Sequence, residues 1–160
     1  MNDENKPSLK SIMTEKAELR SRVVADCVIV LDGEVSRKKG VSGLLIKGGF
    51  KVIKSLKGGK MIAELIDWLL DEFVDALDPF YQEYMSSEDA QKHSFSFYIC
   101  AHEERVAEAL LSVTDRRRER AKNKVLIKTY DSLRSTALKH VREGVPAVGN
   151  MVEKYAFTNH

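Results

Sequence analysis

The sequence predicts an all-α fold, a single-domain bundle of about six or seven helices packed around a central helix at 60–77. Three observations carry that reading. First, the stretch Lys60–Tyr84 reads KMIAELIDWLLDEFVDALDPFYQEY. In it Ile62, Leu65, Ile66, Leu69, Leu70, Phe73, Val74 and Leu77 recur at three- and four-residue steps, the period of a helix with one buried face. Second, Glu64, Asp67, Asp71, Asp75 and Asp78 follow the same steps on the other side, so polar and apolar faces separate cleanly. Third, only three prolines and nine glycines interrupt 160 residues, which favours long helices. From Lys60 to Leu77 the helix would run about 27 Å, enough to cross a small domain.

Taken in order, residues 1–13 read as a flexible N-terminal tail, in which Pro7 and Ser8 can start a turn of helix at Leu9–Met13. Residues 14–157 form the single helical domain. Glu15 and Glu18 enrich a first turn. Val24, Cys27, Val28, Leu31 and Val35 share one helical face as far as Lys39, and Gly40 supplies a stop. The local run CVIVL at 27–31 is β-prone, but the helical period continues past it. Two readings compete over 44–57. Gly48-Gly49 resembles a hairpin turn, whereas Leu45, Gly49, Val52, Ile53 and Leu56 line a helix face opposite Lys47, Lys51 and Lys54. Helix is the preferred reading, with Gly58-Gly59 as the joint into the central helix. Asp78-Pro79 signals a helix restart. Residues 85–93 read as the main loop, 94–101 as a short helix and 103–113 as an amphipathic one. Thr114 or Asp115 is expected to cap a helix ending at Gly144, and Pro146 to start the last.

Composition bounds the function. Hydrophobic residues make up 43% and charged residues 31%, the balance of a globular chain. No apolar run reaches the ~20 residues of a membrane span, and the polar N-terminus has no signal-peptide core, so a cytoplasmic setting is expected. Cys27 and Cys100 are expected to be buried free thiols. The net charge of +2 hides a segregation. Residues 1–60 hold thirteen cations against seven acids, 61–104 one against eleven, and 105–160 twelve against six. The acidic middle can be packed between basic flanks or shown to partners as a separate face.

Motifs for chemistry are missing. Helical carboxylate–metal sites use Glu-x-x-His, but Ala90, Ile99 and Ala137 stand three before His93, His102 and His140. His102-Glu103-Glu104 begins like a zinc-protease motif, yet position 106 is valine. That histidine is expected to start a helix, with the glutamates at its positive end. No nucleophile elbow or phosphate loop is present in the sequence. No catalytic, cofactor-binding or metal-ligating residue is therefore expected.

Several blocks resemble a known family: RKKGVSG at 37–43, DEFVDALDPF at 71–80, EALLSVTDRRRERAKNK at 108–124 and YDSL at 130–133. Together they resemble an uncharacterised family of small helical bacterial proteins, chiefly actinobacterial, known as a domain of unknown function. The resemblance spans roughly residues 20–157 and implies a mostly helical single domain, with no activity or cofactor. The family's counterpart of 44–57 is alanine-rich, which supports helix there; the glycine pairs at 48–49 and 58–59 depart from it.

Function is then expected to be non-enzymatic interaction with a protein partner, as yet unknown. The candidate faces are acidic Glu64, Asp67, Asp71 and Asp75 and basic Arg116, Arg120 and Lys124, which would align on one helix and could lie against the acidic stripe. Alternatives are a peripheral membrane-surface protein using the basic amphipathic segment 44–57, and nucleic-acid binding through a basic helix at 114–128. Self-association is a further alternative, for which an exposed apolar patch on the folded chain would argue.

Overall fold

The apolar period that begins at Ile62 does not stop at Leu77. A computed structural model of the chain, describing residues 6–157, continues it as one helix, α4, from Met61 to Ser86. Pro79 lies inside that helix instead of opening one. Asp78 serves a different element: its Oδ1 accepts the Leu9 N–H at 2.8 Å. That bond satisfies an orphan amide at the start of α1 (Leu9–Met13). The expected break fails for a packing reason. Leu70, Val74 and Leu77 before it, and Phe80, Tyr81 and Tyr84 after it, enter one core. Their burial outweighs the backbone hydrogen bond that proline forfeits.

The all-α expectation holds. After α1 come α2 (Ala17–Ser36), α3 (Gly40–Ser55), a 3-10 turn (Leu56–Gly59), α4, the single turn α5 (Asp89–Lys92), α6 (Phe95–Ala101), α7 (Glu103–Arg118) and α8 (Lys124–Ala156). The β-prone CVIVL run is helical. The expected tail is corrected at its end, because Leu9 and Met13 are buried in the core; residues 1–5 lie outside the described residues. The loop expected at 85–93 is shortened by the last turn of α4 and by α5.

The C-terminal third also departs from expectation. Thr114 and Asp115 cap nothing; they sit within α7. Asn123 caps α8, its side chain accepting the Leu126 N–H at 3.1 Å. From there α8 runs through both Gly144 and Pro146 for 33 residues, about 50 Å. Its length reflects its partners: α6, α7, α3, α1 and α2 all pack on it, while α4 packs on α7, α1 and α2. At Gly149 the backbone of α6 comes so close that an added Cβ would stand 2.8 Å from the Ser96 Cα. Glu153 accepts the Ser96 N–H at 2.7 Å and fixes the start of α6 there.

The helix reading of 44–57 is right and the hairpin alternative is overturned. The two neighbouring glycines of α3 do different things. A Cβ at Gly49 would meet Leu133 of α8 at 2.8 Å, whereas a Cβ at Gly48 would meet nothing within 4 Å. The joint to α4 needs left-handed backbone, with φ of 51° at Lys57, 63° at Gly58 and 89° at Gly59. Gly48→Ala should therefore raise stability by up to about 1 kcal/mol through helix propensity. Gly49→Ala should fall short of that gain, because the added Cβ must displace the Leu133 Cδ1 and crowds the Thr129 Cγ2. Urea denaturation of the two variants checks this; an equal gain in both would mean that α3 does not press on α8 there.

Candidate interaction surfaces

The acidic stripe forms as the period requires, with Glu64, Asp67, Asp71 and Asp75 along one side of α4. Each acid has a cation from the chain before α4. Arg20 of α2 bridges two of them, with Nε 2.9 Å from Asp67 Oδ1 and Nη1 2.8 Å from Asp71 Oδ1. It also donates to the Asp67 carbonyl oxygen at 2.6 Å. Lys57 Nζ stands 2.8 Å from Glu64 and Lys10 Nζ 3.9 Å from Asp75. Burial alone would raise the Asp71 carboxyl, but the hydrogen bond and charge of Arg20 hold it below its ordinary value. The acidic middle is thus packed against basic flanks, the first of the two arrangements that the charge segregation allows.

The basic residues are not where one helix would put them. Arg116 is in the last turn of α7, Arg120 in the following turn and Lys124 at the start of α8. They form no single stripe, and a basic helix over 114–128 does not exist. Nor do they meet Glu64, Asp67 or Asp71. Arg116 approaches Glu72 at 4.0 Å. The better contact is made by its neighbour: Arg117 Nε is 2.8 Å from Glu72, and its guanidinium lies 4.5 Å from the Trp68 ring centre. Trp68 and Glu72 are one turn apart on α4, and that spacing was the signal for this clamp. Arg118 reaches both carboxylate oxygens of Asp131, at 2.9 and 2.6 Å.

Several polar contacts carry no sequence signal. The Tyr130 hydroxyl joins Thr114 at 2.7 Å and donates to Asp115 at 2.5 Å, while Arg134 holds both oxygens of Asp115. Tyr155 and Lys154 both bond Asp26, tying α8 to α2. Lys38, at the corner between α2 and α3, is buried and donates to Glu143 at 2.7 Å and to the His140 carbonyl at 3.3 Å. Neither ring nitrogen of buried His140 has a hydrogen-bond partner.

The chemistry available is modest. Cys27 and Cys100 are free and half-buried, less enclosed than expected. Burial pushes the Cys27 thiol up to about 11, and the Cys100 thiol upward as well, so neither is an activated nucleophile at neutral pH. Among the described residues, no group of three or more His, Cys, Asp or Glu side chains could hold a metal ion. Two open clefts stand out among the described residues. One, of about 500 Å³, lies between the ends of α4 and α8 and the start of α6; its Glu153 and Lys154 already hold Ser96 and Asp26. The other, of about 270 Å³, lies between α2, α3 and α4 and is lined by Val28, Ile29, Phe50 and Ile62 with the Lys54–Asp32 pair.

The third helix departs most from expectation. Gly49, Ile46, Phe50 and Ile53 turn inward, but Leu45 and Val52, expected on that buried face, do not. They join Val41 and Leu44 on an outward stripe, exposed by 81% at Val41, 69% at Leu44, 54% at Leu45 and 44% at Val52. Ile29 of α2 is exposed by 69%. Apolar residues occupy most of the circumference of α3, and its neighbours cover only one side. No residue of α3 belongs to the main core.

A family described as one of unknown function (DUF6918) matches residues 9–156. Its span begins at Leu9, earlier than the resemblance near residue 20 implied, so α1 is part of the family's unit. No curated protein and no solved structure matches the chain.

Buried His140 gives the fold a measurable pH dependence. Burial and neighbouring Lys38 lower its pKa below 6.5, against a weaker upward pull from Glu143. The unfolded chain then takes up a proton more readily than the folded one as pH falls below 6.5, so stability present above that value is lost on acidification. Between pH 7.5 and 5.5 the denaturation midpoint should fall, and His140→Leu should flatten the fall. An equal slope in that variant would show that another group titrates.

Proposed function

We propose that this protein, which belongs to the DUF6918 family of unknown function, is a non-enzymatic interaction module whose contact surface is the outward face of α3. One observation carries the reading: Val41, Leu44, Leu45 and Val52 stand exposed in a single stripe on a helix outside the core. Single exposed apolar residues are ordinary, but a contiguous patch marks a contact surface. The acidic stripe supports this choice by elimination, since its carboxylates are held by Arg20, Lys57 and Lys10. Arg120, Lys122, Lys124 and Lys128 remain as exposed cations on the turn between α7 and α8 and the start of α8. They lack the aromatic or groove-shaped setting that would favour nucleic acid. The same reading places the protein in a bacterial cytoplasm, in keeping with the family resemblance and with two unpaired thiols.

Radical footprinting tests the surface directly. Leu44 and Leu45 should be oxidised several-fold less in intact cells than in the purified protein, while exposed Met85 on α4 changes little. Equal oxidation of Leu44 and Leu45 in both settings would remove α3 as the contact surface.

A further inference from the structure

We infer that the occupant of the α3 face is an anionic lipid surface, an inference that rests on the contact surface proposed above. The charge around α3 supplies the argument. From Val35 to Ala63 the chain holds eight Lys and Arg and no Asp or Glu. Four of the cations are answered from outside that span: Arg37 by Glu34, Lys38 by Glu143, Lys54 by Asp32 and Lys57 by Glu64. Lys39, Lys47, Lys51 and Lys60 have no carboxylate partner among the described residues. Lys47, Lys51 and Lys54 follow helical steps and so run along one flank of the exposed stripe.

The shape of the face narrows the choice. Val41, Leu44, Leu45 and Val52 protrude from a helix, and none of them lines either of the two clefts described above. A protein partner would have to offer a matching cavity, whereas the acyl boundary of a bilayer accepts a convex apolar ridge without one. Long lysine stems beside such a ridge can lie along apolar surface while their ammonium groups reach lipid phosphates. The stripe from Val41 to Val52 is about 16 Å long, a length that lies in the interfacial plane. A second copy of this chain is disfavoured, because pairing α3 with α3 would set two lysine flanks together without carboxylates. No helix among the described residues is long and apolar enough to cross a membrane, so attachment through α3 would be peripheral.

Flotation of the whole chain with vesicles of equal parts phosphatidylglycerol and phosphatidylcholine at low salt tests the inference. The protein should float with these vesicles, and binding should fall about tenfold or more on pure phosphatidylcholine or at high salt. Leu44→Ser with Leu45→Ser, and separately Lys47→Gln with Lys51→Gln, should each cost about tenfold or more. All four sites are at least partly exposed, so circular dichroism should show both variants folded. Arg120→Gln with Lys124→Gln removes the same charge elsewhere and should leave flotation unchanged.

Three results would overturn the inference: no flotation, flotation lost only in the Arg120 and Lys124 variant, or dimerisation abolished by Leu44→Ser. The first result combined with protection of Leu44 in cells would assign the face to an acidic protein, leaving the contact surface intact. Loss of both would remove the surface as well.

Discussion

The length of α8 sets the problem that the rest of the chain solves. A helix of 33 residues presents far more apolar surface than one neighbour can cover. At its C-terminal half the solution is thorough. Val145, Val152 and Tyr155 are buried, and Gly149 lets α6 approach to backbone contact. The aromatic cluster of Tyr81, Tyr84, Phe95 and Phe157 closes that end with edge-to-face and tilted rings. At its N-terminal half no residue from Lys124 to Lys139 is buried. There α7 is tied on by polar contacts, Tyr130 to Asp115 and Arg134 to Asp115, and α3 by a glycine. The main core fills one end of the molecule, and Met61, Ile62, Leu111 and Val113 are buried outside it.

That division explains what the sequence did and did not reveal. The helical period of α4 and α7 was legible because each puts one face into the core. That of α2 was legible in part, since Val24 and Cys27 pack against the core and Val35 is buried, but Leu31 is exposed and buried Val23 lay outside the expected face. Punctuation was less reliable. Pro79 and Pro146 read as helix starts, yet both lie within helices whose apolar faces are buried on either side. A local stop signal costs one hydrogen bond and some strain, and burial on both flanks exceeds that. Gly144 read as a stop for the same local reason and met the same outcome. The Thr114–Asp115 cap failed differently: both side chains were claimed by Tyr130 across the α7–α8 turn, a partner invisible to local reading.

Charge followed the same logic. The acidic stripe of α4 was legible as a stripe, since helical spacing alone aligns it. Which cations would meet it was not, because that depends on which helix packs beside it. Arg20 of α2 took the place expected for Arg116, Arg120 and Lys124, which the turn after α7 separates. The expected contact surface was therefore the one most fully answered inside the molecule. For α3 the limit was of another kind. Its sequence shows an apolar face and a lysine flank, but it is apolar on nearly every side, and the packing of α8, α2 and α4 decides which residues stay outside.

The position of α3 makes its exposed stripe informative. An apolar side chain left in water beside a core can be a by-product of crowding, with no room to turn it inward. Here no such excuse exists, because α3 contributes nothing to the main core and rests on α8 through Gly49, Leu133 and Thr129. Polar residues at Val41, Leu44 and Leu45 would leave those contacts untouched and would make the isolated chain more soluble. The fold therefore gives no internal reason for four aliphatic side chains at these positions. The absence of any carboxylate from Val35 to Ala63 points the same way, since carboxylates elsewhere in the chain are used freely to answer lysine and arginine. An uncovered apolar ridge and unanswered positive charge on one helix are two halves of one requirement, and both are met by a surface that is apolar within and anionic at its edge.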